Sequence, residues 1–172
     1  MNSTVRIALL AVLCTAAVAC SKKVKEEAPP AEPAPAEVPA ETTPAPTAGL
    51  YGPADLDTDA CLRQRVIYFD FDQDVLRPEF QAAVGCHAKY LRDRPSARMT
   101  LQGHADERGS REYNLGLGER RGNAVSSALQ ANGGSASQQM VNSSGEEMPV
   151  CTESNEDCWA KNRRVEIVYT EK

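Results

Sequence analysis

Positive charge is in deficit. The chain of 172 residues carries 19 Lys and Arg against 24 Asp and Glu, a net charge of −5. A protein that neutralises phosphates needs the opposite balance, which excludes nucleic acid as the main partner. Histidine is nearly absent, with two in the chain, and neither lies at metal-ligand spacing from a cysteine. No Ser or Cys nucleophile has a base at a recognisable spacing, so the pattern is that of a binding protein without cofactor or metal rather than an enzyme. No apolar run reaches the roughly 18–20 residues that cross a bilayer. Proline is scarce except in one place: seven of the eleven prolines fall between Pro29 and Pro46. The chain therefore has two unlike regions.

What is there begins with an address. Arg6 supplies a positive start, and Ile7 to Ala19 form an apolar run in the signal-peptide range. Small residues at Ala17 and Ala19 precede Cys20, an arrangement that resembles a bacterial lipobox. Residues 1–19 are read as the signal and Cys20 as the acylated first residue of the mature chain. Cys14 is disfavoured because Leu13 before it is too large for the cleavage position. Ser21 after the cysteine, by its likeness to known lipoproteins, implies an outer-membrane lipid anchor facing the periplasm. Several acyl chains hold firmly, since each buried CH₂ contributes roughly 0.8 kcal/mol.

Residues 20–54 form a tether. The stretch Ala28-Pro29-Pro30-Ala31-Glu32-Pro33-Ala34-Pro35 has almost no large apolar side chains to repay the entropy of folding. Frequent proline favours an extended state, and about 30 residues at about 3.1 Å each reach roughly 90 Å.

The folded domain is expected over 55–172. Val66 to Asp70 reads as a buried strand. Pro78 opens a helix in which Phe80, Val84, Ala88 and Leu91 recur at helical spacing until Pro95. Met99 to Gly103 is a second strand. Ser110 caps a second helix carrying Leu117, Ala124, Val125, Ala128 and Leu129, which ends at Gly133-Gly134. Gln139 to Ser143 is a weak strand and Val165 to Tyr169 a clear one. The order β-α-β-α-β-β predicts an α+β fold, a two-layer sandwich with helices on one mixed four-stranded sheet.

Four cysteines remain in this domain, and an exported protein meets an oxidising compartment, so two disulfides are expected. Four cysteines allow three pairings. Cys151 and Cys158, with six residues between them in one polar loop, favour each other, which leaves Cys61 with Cys86.

On a helical wheel at about 100° per residue from Leu117, Arg121 falls at about 40°, inside the apolar stripe. A guanidinium there cannot be neutralised and must meet an anion. The loop Gly103-His104-Ala105-Asp106-Glu107-Arg108-Gly109 leaves a strand end and enters the same helix, where sites commonly lie. Asp106 and Arg121 are expected to face each other across a cleft, neither consuming the other, which suits a zwitterion: carboxylate to ammonium, guanidinium to carboxylate. Asn114 adds a neutral donor and acceptor. The competing reading is an internal Asp106–Arg121 bridge in a purely structural lipoprotein. His104 is expected to order the loop, and His87 to sit in the core.

The runs Tyr68-Phe69-Asp70-Phe71-Asp72, Gly103-His104-Ala105-Asp106-Glu107-Arg108-Gly109, Tyr113-Asn114-Leu115-Gly116-Leu117-Gly118-Glu119-Arg120-Arg121 and Ala160-Lys161-Asn162-Arg163-Arg164-Val165 together resemble the OmpA-like peptidoglycan-binding domain family. Within it, the Ala-Asp-Glu-Arg-Gly and Leu-Gly-Glu-Arg-Arg wording is similar to the peptidoglycan-associated lipoproteins of the Tol–Pal system. The resemblance covers about residues 62–172. It implies non-covalent binding of the meso-diaminopimelate peptide stem of peptidoglycan, and Tol-system proteins as further partners during cell division. Asp106 and Arg121 match the ligand-binding pair. Asn114, Leu117, Asp70, Phe71, Asp72 and Arg164 match positions around it. The sequence departs from the family in its four domain cysteines and in Ser144, where relatives often carry Tyr before the glycine.

Overall fold

The computed structural model describes residues 49–172. The signal, Cys20 and most of the tether lie outside the described residues. Packing begins a little before the expected boundary at 55: Tyr51 is buried, and its N–H donates to Asp93.

Four strands and two long helices make the body. They are β1 (Val66–Tyr68), β2 (Arg98–His104), β3 (Gln139–Gly145) and β4 (Arg164–Glu171), with α2 (Gln81–Asp93) and α3 (Arg111–Ala131). The sheet order is β1-β4-β2-β3, with β4 antiparallel to both β1 and β2, and β2 parallel to β3. A parallel pair needs a crossover, and α3 supplies it. The fold is the expected mixed four-stranded α+β sandwich.

Alternation along the strands decides the inner face. Met99 and Leu101 of β2 and Val165 and Ile167 of β4 are buried, as is Ile67 of β1. Val84, Ala88 and Leu91 of α2 and Val125 and Leu129 of α3 meet them in one core. Ser110 caps α3 by accepting from the Tyr113 N–H, and Gly133 beyond its end adopts a left-handed φ of 88°. Pro78 opens a single 3-10 turn, Pro78–Phe80, that runs into α2.

The structure also differs in detail. β1 stops at Tyr68, one bond before the pairing ends: the Phe69 N–H still donates to the Arg163 carbonyl at 2.9 Å, in register with the ladder. Short helices α1 (Asp55–Thr58) and α4 (Glu156–Asn162), and a 3-10 turn at Ala136–Gln138, fall in segments whose polar composition carries no hydrophobic periodicity. α4 is set by its cap instead: Asn155 accepts from the Cys158 N–H at 3.0 Å.

Both favoured disulfides are present, Cys61–Cys86 and Cys151–Cys158, with Cα separations of 6.2 and 5.1 Å. His87 is wholly buried in the core. The Gln64 carbonyl can only accept, so Nε2 of His87 donates to it and Nδ1 accepts from the Tyr169 hydroxyl. Among the described residues no helix is long and apolar enough to cross a membrane.

One close approach positions the site. A Cβ placed on Gly103 of β2 would lie 1.9 Å from the Gly118 carbonyl oxygen of α3. Glycine at both positions lets the helix backbone lie against the strand, which brings the start of α3 to the end of β2.

Candidate functional site

At that corner a cleft of about 240 Å³ opens, lined by Phe71, Asp72, Asp106, Arg108, Gly109, Tyr113, Asn114, Leu117 and Arg121. Three segments build it. The loop after β1 contributes Phe71 and Asp72, the latter at a left-handed φ of 56° that aspartate tolerates. The loop after β2 contributes Asp106, Arg108 and Gly109. The first turns of α3 contribute Tyr113, Asn114, Leu117 and Arg121, which share a face at helical spacing.

Arg121 is fully buried. Its Nε donates to the Gln73 carbonyl at 2.8 Å, Nη1 to His104 at 2.8 Å and Nη2 to Asp70 at 3.1 Å. A guanidinium has five N–H donors, so two remain. All three acceptors are neutral carbonyls, and among the described residues no carboxylate forms an ion pair with it. Burial, and then the neighbouring charge of Arg163, bring its pKa down to about 10, against the pull of Asp106, Asp74 and Asp72. The cation is held in place without being neutralised.

Asp106 is committed elsewhere. The Arg108 side chain grips it through both oxygens, at 3.0 and 2.7 Å, and the Arg108 backbone N–H adds a bond at 3.1 Å. Arg163 Nη1 lies 3.3 Å from Oδ2. Burial raises the Asp106 pKa, but these donors outweigh it and hold the carboxyl below its ordinary range. Asp106 and Arg121 thus share the cleft without touching, and the internal bridge between them does not form. The expectation of an unoccupied Asp106 needs correction: two arginines, Arg108 and Arg163, already satisfy it.

The other expected residues divide. Phe71, Asp72, Asn114 and Leu117 line the cleft beside Asp106 and Arg121. Asp72 accepts from the Tyr113 hydroxyl. Asn114 spends its amide N–H groups on the loop, donating to the carbonyls of Asp106 and Arg108 and to Glu146. Asp70 does not line the cleft. Its carbonyl holds Arg121, and its carboxylate lies 3.6 Å from Arg77. Arg164 does not line it either. It is buried against Glu166, at 2.7 Å, and the Met148 carbonyl.

Side chains alternate sides as the chain enters a strand. Of the adjacent pair, Arg163 turns towards Asp106 and Arg164 turns away. Nothing in the two identical letters distinguishes them. The His104 ring is buried without a hydrogen-bond partner among the described residues, so its carbonyl, not its imidazole, orders the site. Arg108, Gly109 and Tyr113 were legible only as parts of the matching motifs.

The sequence model of the OmpA family matches residues 68–163. The peptidoglycan-associated lipoprotein of Pseudomonas aeruginosa is 46% identical over 113 residues, which cover 65% of this chain and 67% of that protein. The chain belongs to the OmpA family, in its peptidoglycan-associated lipoprotein branch. The lipoprotein of the same name from Haemophilus influenzae is 37% identical over 123 residues, covering 72% of this chain and 78% of its own. The crystal structure of the peptidoglycan-associated lipoprotein from Burkholderia pseudomallei superposes with a TM-score of 0.65 at 41% identity, over 67% of this chain and 98% of that one. The C-terminal domain of Helicobacter pylori MotB shares the fold at a TM-score of 0.56 and 20% identity, over 62% of this chain and 83% of that one. This membership puts the chain among binding proteins, not enzymes. Every residue that lines the cleft lies inside the family match.

Proposed function

We propose that the cleft binds the meso-diaminopimelate side chain of the peptidoglycan stem, and that the chain ties the outer membrane to the wall. The observation that carries this reading is Arg121: a buried guanidinium on the cleft wall, anchored by three neutral carbonyls, with two N–H groups left and no acid paired to it among the described residues. A buried cation without a counter-ion is costly, and a ligand carboxylate accepting from a planar guanidinium relieves that cost. Diaminopimelate carries an ammonium and a carboxylate on one carbon. The carboxylate goes to Arg121, and the ammonium lies towards Asp72, the cleft carboxylate that no arginine pairs with among the described residues. Lysine, which replaces diaminopimelate in other walls, lacks the carboxylate and would leave Arg121 unpaired. Asn114 and Arg108 shape the loop, and Leu117 and Phe71 supply apolar contact.

The anchor is Cys20, acylated in the outer membrane, with residues 20–54 as the spacer and Tol-system proteins as the partners in constriction. The test is co-sedimentation of the purified domain with insoluble sacculi. Diaminopimelate-type sacculi should carry it down and lysine-type sacculi should not; failure to pellet with the first overturns the wall-binding reading. Separately, Cys20→Ala should move the full chain out of the detergent phase, and continued partitioning there refutes the lipid anchor.

A further inference from the structure

The chain's single tryptophan lies outside the cleft yet bears on it. Arg108, which does line the cleft, is stacked between two aromatic rings. Its guanidinium carbon is 4.0 Å from the Phe71 ring centroid and 4.1 Å from that of Trp159. Phe71 comes from the loop after β1, and Trp159 from α4, so the stack joins segments far apart in sequence. Trp159 is fixed in turn: its Nε1 donates to Glu107 at 3.0 Å, and the Ser154 hydroxyl donates to the same oxygen at 2.7 Å.

The segment that carries Trp159 is stapled. The Cys151–Cys158 disulfide closes its loop. Asn162 accepts from the N–H groups of Val150 and Cys151 and donates to the Cys151 carbonyl at 2.7 Å. Glu156 at the start of α4 receives Arg163 at 2.6 Å and stands 3.5 Å from Arg108. A ring of charges therefore runs Asp106, Arg108, Glu156, Arg163 and back to Asp106. Hydrogen bonds fix where each guanidinium points, while the aromatic sandwich fixes the plane of Arg108.

We infer that Trp159, held by the disulfide-closed loop, is a positioning residue for ligand binding: it clamps Arg108 so that the Asp106 side of the cleft is preformed. The inference rests on the wall-binding reading above and deepens it. A long arginine side chain freed from one ring would sample many rotamers, and ordering it again on binding weakens affinity. Because the clamp acts through Arg108, its effect disappears when Arg108 can no longer stack.

The test is calorimetric titration of the purified full-length protein with a soluble muropeptide bearing a meso-diaminopimelate stem, with thermal unfolding followed alongside. Trp159→Ala should weaken binding roughly 2- to 30-fold, the range expected for loss of one cation–π face. Trp159→Phe should restore most of the affinity. Trp159→Leu, which keeps bulk without a π face, should behave like the alanine variant and stands in for it if that variant fails to fold. Removing the staple with Cys151→Ala and Cys158→Ala together should weaken binding in the same direction. In an Arg108→Ala background, which leaves nothing at position 108 to stack, Trp159→Leu should change affinity less than twofold while still lowering the melting temperature. Unchanged or tighter binding by Trp159→Leu, or an equal loss in the Arg108→Ala background, overturns the inference with the wall-binding reading intact. A wild-type protein that does not bind the muropeptide overturns both.

Discussion

Replacing Arg121 separates the two roles the structure gives it. Truncation to alanine removes the donor from three carbonyls, that of buried His104 and those of the more exposed Gln73 and Asp70. An acceptor left buried and unsatisfied, as the His104 carbonyl would be, costs about 1–3 kcal/mol, while water can reach the other two and removing a desolvated charge returns part of the loss. The net loss is then at most about 3 kcal/mol, still a large fraction of the 5–15 kcal/mol that holds an ordinary domain together. Lost binding by Arg121→Ala would thus mix two causes.

Arg121→Lys is the sharper perturbation. It retains the charge and offers three donors to the same carbonyls, but gives up the planar fork and its two remaining N–H groups. Two charge-assisted bonds at roughly 1.5–3 kcal/mol each are then forfeited in the complex. After partial compensation by the ammonium, affinity for a diaminopimelate muropeptide should fall about 100-fold, or about 2.7 kcal/mol. The melting transition should drop only modestly. Calorimetric titration and thermal unfolding measured on one preparation decide the matter. If Arg121→Lys binds within threefold of wild type while melting normally, the guanidinium is structural only, and the argument for a ligand carboxylate fails.

Two further outcomes follow from the geometry. Burial holds the His87 pKa at about 4, below its ordinary 6.5, so the folded state resists its protonation. The unfolded chain binds that proton first as pH falls, so this contribution is complete above 6.5 and fades towards 4, by about 3 kcal/mol. His104 is depressed to about 4 with the same sign. Urea midpoints should decline between pH 7 and 4, less steeply in His87→Gln, and an unaltered slope in that variant would contradict the assignment. Gly103→Ala would drive a methyl into the Gly118 carbonyl, where backbone faces backbone and neither side can yield. Destabilisation of about 3 kcal/mol or more is expected, and a variant melting within a few degrees of wild type would refute the close approach of α3 and β2.

The sequence alone determined the elements and the cast of the site. Apolar spacing is a local property, so the strand at Val66, both long helices and the last strand could be read from periodicity, and Arg121 stood out as a charge on an apolar face. Short range also decided the disulfides, since Cys151 and Cys158 close a small loop and leave Cys61 one partner. Tertiary structure decided who pairs with whom. Side chains far apart in sequence compete for the same acceptors, and that competition is resolved only when strand ends and helix starts converge. Arg108 and Arg163 took Asp106, three carbonyls took Arg121 without neutralising it, and strand alternation turned Arg164 away while its neighbour turned in. Trp159, in a polar loop with no periodic signal, reached the site only because the fold brought α4 beside the loop after β2.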